Sequence, residues 1–369
     1  MGRWLLSVYR FGEHSMIFSN AGSSISGELS YIYSEWTGPL EATAAQAGEN
    51  FSQVSISGDG NVLAVGAPNY DGTYTSQGRV QIYDKSGTSW VYRTGITVAI
   101  SSSPTLLGFS TSLNHDGTLL AVGVAYYDGT FTNEGQVRVY DISGVTVTQR
   151  YIIPNPSPEA DAAFGDSVSL SSDGNVMAVA RSGASTSAGL IDVFNLEPSS
   201  YTNRQIGITC SDSGSVKFGG CDLSSDGSFM SAGSYSYDGT YTDQGAAYLL
   251  EWSGSAYVQV GSRIVASDEQ TGAGFGRNTG INGSGSRMVV GAYSWDNGAS
   301  TNEGKVYVIS INGTTFTEEA TLLASDAGSG DSFGIAADID NAGALIVSGA
   351  LLWDGTLSDQ GAVYTHEAQ

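Results

Sequence analysis

The sequence predicts an all-β fold, a seven-bladed β-propeller of four-stranded antiparallel blades, and three observations predict it. A unit of about fifty-five residues recurs along the chain. Each unit carries an alternating segment, an Asp-Gly type of turn and a near-continuous apolar run, the pattern of a hairpin whose second strand is buried on both faces. Glycine reaches 50 of 369 residues while Asp, Glu, Lys and Arg make only 14%, which suits short strands and tight turns, not helices with charged outer faces.

The repeat is anchored on Phe51, Phe109, Phe164, Phe218, Phe275 and Phe333, at successive spacings of 58, 55, 54, 57 and 58 residues. In the first full copy Val54 and Ile56 alternate with serines, Gly58-Asp59-Gly60 turns the chain, and 62–65 is apolar throughout. The turn recurs at 115–117, 172–174 and 225–227, and degrades to Gly283-Ser284-Gly285 and Asn341-Ala342-Gly343. Only residues tolerant of positive φ suit such a connection, so backbone geometry explains them without any catalytic role. A third strand is expected at 79–83, 136–140, 190–194, 246–250, 305–309 and 362–364, and a weaker fourth at segments such as 90–93 and 316–323. Four antiparallel strands per unit match a propeller blade. The N-terminal stretch supplies a degenerate seventh unit, with strands at 15–20, 28–33 and 40–44. The blades of this single domain are then 1–50, 51–108, 109–163, 164–217, 218–274, 275–332 and 333–369. Because the last unit stops after its third strand, the N-terminus or a neighbouring subunit is expected to complete it; an open strand edge invites association.

Acidic residues dominate, with 37 Asp plus Glu against 14 Lys plus Arg and a net charge of −23. Such a surface repels phosphate backbones and anionic lipid heads, so neither nucleic acid nor membrane insertion is expected. The apolar run at 4–6 is too short for a signal-peptide core. Two cysteines, Cys210 and Cys221, are too few for a disulfide framework, and the residues leave open a single bridge or two separate thiols.

Phe-Gly at 164–165, 218–219, 275–276 and 333–334, with Gly-Ala at 66–67, 291–292 and 349–350, resembles the FG-GAP propeller repeat over almost the whole chain. The combination of segments 57–68 and 70–83 is similar to repeats of marine bacterial surface proteins and cyanobacterial phage virion proteins. That resemblance implies a virion or extracellular, cell-surface location and a role such as a tail fibre's: host attachment, or structure within an assembly. It departs from the integrin form of the family, where a calcium loop separates the first two strands. A two-residue turn cannot supply the six to eight oxygens that calcium takes.

The longer loops carry a second recurrent element: Tyr70-Asp71, Tyr127-Asp128, Tyr237-Asp238, Trp295-Asp296 and Trp353-Asp354. An aromatic face packs on sugar C–H groups and a carboxylate accepts hydroxyls, so these ten residues are the candidate binding rim for a glycan or host receptor. The competing interpretation is that each Asp caps its own loop and each ring packs on a neighbouring blade. No cofactor is expected; calcium is the one ion that the acidic connections at Asp268-Glu269, Asp326 with Asp331, and Glu159 with Asp161 and Asp166 could collect. The three histidines, His14, His115 and His366, are not placed for a metal triad or a Ser-His-Asp arrangement, and no blade is expected to hold a distinctive acid within a strand. The expectation is a non-enzymatic attachment or structural propeller whose partners are other subunits of an assembly. A lectin-like polysaccharide-binding module is the alternative, and a propeller glycosidase a third reading.

Overall fold

In a computed structural model the chain is described over residues 7–11, 14–18, 32–36, 38–98, 105–183, 189–209, 218–298 and 300–369. It opens with a hairpin, β1 (Ser7–Phe11) and β2 (His14–Phe18), and a short strand, β3 (Tyr33–Glu35). The first blade follows as β4 (Gln53–Ile56), β5 (Val62–Ala67), β6 (Arg79–Ser86) and β7 (Ser89–Ile96). The second is β8 (Ser110–Leu113), β9 (Leu119–Val124), β10 (Gln136–Ser143) and β11 (Thr146–Pro154), and the third β12 (Phe164–Leu170), β13 (Val176–Arg181), β14 (Leu190–Glu197) and β15 (Ser200–Ile208). The fourth is β16 (Gly220–Leu223), β17 (Phe229–Ser234), β18 (Ala246–Trp252) and β19 (Tyr257–Ile264). The fifth is β20 (Phe275–Ile281), β21 (Arg287–Ala292), β22 (Lys305–Asn312) and β23 (Thr315–Leu322). The sixth is β24 (Phe333–Ile339), β25 (Leu345–Ala350) and β26 (Ala362–Ala368), joined by β3 as its outer strand.

The propeller therefore has six blades, not seven. Among the described residues of the first fifty, β3 is the one strand that enters a blade, pairing antiparallel with β26 through His366 opposite Glu35 and Ala368 opposite Tyr33. The expected strand at 15–20 overlaps β2, which pairs with β1 instead, and most of the expected strand at 28–33 lies outside the described residues. Leu40 makes an isolated bridge to Val363 and does not begin a fourth strand. The open edge of the last unit is thus closed from within the chain. Trp36, just after β3, then ties the sixth blade to the first: its ring centroid lies 5.7 Å from that of Trp90, and Trp90 donates to Thr365 at 2.9 Å.

One anchor of the repeat shifts as well. In the second blade the position of the other phenylalanines belongs to Leu107, which bridges Gly78 as Phe164 bridges Gly135 and Phe275 bridges Gly245. Phe109 lies two residues further on and stacks on Tyr126.

The second strand of each blade explains why the fold needs neighbours. Along β5, Val62 and Ala64 face the core shared with the second blade, while Leu63 and Val65 face the core shared with the sixth. A sheet apolar on both faces hides neither face alone, and each buried Val or Leu contributes roughly 1.5–3 kcal/mol once a neighbour covers it. The blades approach closely at a glycine near the end of the second strand. A Cβ at Gly66, Gly123, Gly291 or Gly349 would lie about 2 Å from a backbone oxygen of the next blade, so only glycine lets these blades meet.

Candidate functional site

The innermost strands β4, β8, β12, β16, β20 and β24 contact one another in turn and close a ring around a central channel. At the end where the Asp-Gly turns converge, six backbone hydrogen bonds link the blades. The amides of Asp59, His115, Ser172, Ser225, Gly283 and Asn341 donate to the carbonyls of His115, Ser172, Ser225, Gly283, Asn341 and Gly58, at 2.9–3.2 Å. The Asn341 side chain then crosses the axis to the opposite blade, reaching Ser172 Oγ at 2.8 Å and His115 Nδ1 at 2.9 Å on the way. Gly58 makes the room, since a Cβ there would lie 2.4 Å from Asn341 Nδ2. This end of the channel is plugged.

One step inward lies a second ring, made by side chains. Ser55, Ser112 and Ser169 each accept the amide of the next blade (Leu113, Leu170 and Leu223) at 2.9 Å. Asp222 Oδ2 accepts Ile281 N at 2.7 Å, and Asp338 Oδ2 accepts Ile56 N at 2.9 Å, completing the circuit. Gly280 holds the sixth position without a side chain, and Asp338 Oδ1 takes the amide of Ile339 that Gly280 leaves. The expectation that no acid stands apart within a strand is thus overturned: Asp222 on β16 and Asp338 on β24 lie in the channel wall. Burial raises the Asp222 carboxyl to about 6, against the pull of its bonds from Ser169 and Ile281. Burial, then the charge of Asp222, raises Asp338 well above the carboxylate range.

These groups line a cavity of about 30 Å³, room for one or two waters. Toward the loop end Arg277 bridges to Asp166 at 3.3 Å and lies 5.4 Å from the Tyr235 ring centre. Burial raises the phenols of Tyr126 and Tyr235 beside this pair, and burial pushes the Cys221 thiol in the wall up to about 12. Cys221 is a free thiol; Cys210 lies outside the described residues.

At the rim, the structure divides the ten sequence-predicted residues by role. Every one of the five aspartates accepts a backbone amide of its own loop. Asp71 takes Ser76 N, Asp128 Asn133 N, Asp238 Asp243 N, Asp296 Asn302 N and Asp354 Asp359 N, at 2.5–2.8 Å. The aromatics turn inward. Trp295 donates to Asp268 at 3.0 Å with Lys305 Nζ 4.1 Å from its ring centre, and Trp353 donates to Asp326 at 3.3 Å. Tyr70 lies under the Arg79 guanidinium at 4.2 Å, and Tyr127 and Tyr237 pack on inter-blade cores. Four of the acids named for calcium are engaged elsewhere: Asp268 is paired with Lys305 at 2.8 Å, Asp326 accepts Tyr364 at 2.6 Å, Asp331 accepts Gly328 N at 2.7 Å, and Asp166 faces Arg277.

Four of the aspartates are exposed as well, but the exposed apolar members of these loops are residues that the sequence reading passed over. Three positions after the aspartate stand Tyr74, Phe131, Tyr241 and Leu357, each 38–44% exposed. Their backbone amides are held from below by buried Gln77, Glu134, Gln244 and Gln360 at 2.7–3.3 Å, which fixes the loop and leaves the side chain at its tip. The signal was in the sequence: an apolar residue after Asp-Gly-Thr in four blades, at a turn tip where polar residues are usual.

Strand pairing defines a six-bladed β-propeller, and the FG-GAP repeat family matches residues 260–309 and 316–366, which hold most of the fifth and sixth blades. No curated protein matches the chain. Among solved structures, a protein described as a TolB of Agrobacterium tumefaciens is similar over 87% of this chain and 91% of its own, at 13% identity and a TM-score of 0.47.

Proposed function

We propose that this propeller is a non-enzymatic attachment or structural module of a virion or cell surface, and that it engages its partner through the loop face. The observation that carries this reading is the crown of Tyr74, Phe131, Tyr241 and Leu357, four large apolar side chains exposed at one loop position around one face. Fold does not require them there; the loop is held by its Asp cap and its Gln or Glu, and the tip side chain adds nothing to either. Aromatic residues presented on rigid loops are the usual anchors of recognition. A non-catalytic reading is also supported by the channel carboxylates, which are committed to backbone amides of the neighbouring blades and so serve blade docking.

The test is binding of fluorescently labelled protein to intact marine bacterial and cyanobacterial cells, followed by flow cytometry. Wild type is expected to bind at least one cell type, and a variant with Tyr74, Phe131 and Leu357 all replaced by Ser to lose at least ten-fold in apparent affinity at unchanged melting temperature. No binding to any cell type, or equal binding by the variant, would overturn the reading.

A further inference from the structure

The loops that carry the aromatic-Asp pair differ in what lies beside them. In the first blade the opening residue of the third strand, Arg79, covers the loop aromatic and is held by Glu49 at 2.7 Å. In the fifth the same position holds Lys305, over Trp295 and bound to Asp268. In the fourth blade that position is Ala246, fully buried and too short to fill the space, and the loop aromatic is a tyrosine, smaller than the tryptophan that accompanies Ala362 in the sixth. A groove of about 460 Å³ opens there, between the β17–β18 loop and the connection that leaves β19. Tyr237 and Asp238 line it from the loop, Arg263 and Glu269 from the other side. The Arg263 guanidinium lies 4.8 Å from the centre of the Tyr237 ring.

We infer that this groove binds a neutral sugar unit of a polysaccharide, a proposal that rests on the attachment reading and names its ligand class. The volume falls within the range of pockets that enclose small ligands. Among the described residues of its lining, two carboxylates and one guanidinium set the chemistry. Asp238 and Glu269 repel a phosphate, sulfate or uronate, and Arg263 repels an amine. A ligand rich in hydroxyls suits both, because a hydroxyl donates to a carboxylate and accepts from a guanidinium. Tyr237, in the lining itself, supplies the aromatic ring that packs on sugar C–H groups.

Affinity electrophoresis through gels containing dextran, laminarin or mannan tests this, with alginate as the anionic control. Wild type is expected to be retarded by at least one neutral polymer and not by alginate. Arg263→Ala combined with Glu269→Ala, both outside the crown, is expected to lower the apparent affinity at least ten-fold while the melting temperature holds. Should that pair destabilise the fold, Asp238→Asn, which keeps an oxygen to accept Asp243 N, is the second variant, with the same expected loss. Free passage through all three neutral gels, or retardation that these variants leave intact, would overturn the groove assignment. If the groove variants keep wild-type cell binding while the Tyr74, Phe131 and Leu357 variant loses it, the attachment reading stands and the sugar assignment alone fails.

Discussion

The two ends of the channel are built from different materials. The turn end is closed by peptide groups, six N–H to C=O bonds that any residue able to form the turn can make, and side chains matter there only where one must vanish, as Gly58 does, or reach across, as Asn341 does. The loop end holds its backbone just as firmly, through the Asp caps and the Gln or Glu below each tip, yet the side chain displayed at the tip is not fixed: Tyr74, Phe131, Tyr241 and Leu357. What repeats around the axis is geometry, and what varies on top of that geometry is available for recognition. Stability should therefore reside in closure and plug, and binding in the loop tips.

The largest expected effect tests the closure. Trp36 is 8% exposed, packs on Trp90 and donates to Glu367 of β26 at 3.1 Å, so it pins the seam where β3 is held to the rest of the sixth blade by pairing alone. Trp36→Ala is expected to lose about 3–5 kcal/mol in urea unfolding, the range for removing a buried tryptophan. A loss below about 1 kcal/mol, no more than surface substitutions give, would show that closure is not where stability lies. The plug comes next. Gly58→Val places a Cβ against Asn341 and its link to Ser172, and overpacking of this kind is expected to lower stability by about 1–3 kcal/mol. A thermal midpoint unchanged by Gly58→Val would mean that Asn341 swings aside without cost and that the plug is ornamental to the ring.

Much of this was legible in the sequence, for a reason that also explains the miss. Hairpin turns, second strands and third strands are local, and the third strands begin at Arg79, Gln136, Leu190, Ala246, Lys305 and Ala362 as their pattern predicted. Blade number is not local. The expected strand at 28–33 was assigned to a blade of its own, whereas β3 at 33–35 pairs with β26 more than three hundred residues away, and no periodicity within the N-terminal segment announces that pairing. The rim was half legible for a similar reason. Tyr70-Asp71 and its equivalents were visible as a motif, but Trp295 and Trp353 turn toward Asp268 and Asp326, acids supplied by the preceding blade connection. Asp222 and Asp338 escaped notice because, in sequence, each is one polar residue in an alternating strand. Only ring closure places them in the same channel wall.

The smallest effect concerns these two carboxyls and is read as a difference between proteins across pH. Asp222 is raised to about 6 from an ordinary value of 3.8, so between pH 6 and pH 4 the folded chain holds a proton that the unfolded chain releases. Stability from this group is therefore greatest at the acid end of that window and falls as pH rises through 6. Asn at position 222 keeps the bonding: its oxygen accepts Ile281 N, its amide donates to the second lone pair of Ser169 Oγ, and the charge that raises Asp338 is gone. Asp222→Asn is thus expected to be more stable than wild type by about 1–2 kcal/mol at pH 7, with the advantage shrinking toward zero at pH 4. The other groups facing the pair, Asp166, Arg277 and Cys221, are unchanged by the substitution, and Cys221, at about 12, does not titrate in the window. Buried His366, lowered to about 4, gives the opposite slope, losing stability as pH falls from 6.5, but it is present in both proteins and cancels in the difference. A difference that is flat across pH, or a variant less stable at pH 7, would mean that the upper ring needs the ionised carboxylate, and that the loop half of the channel contributes to closure as the turn half does.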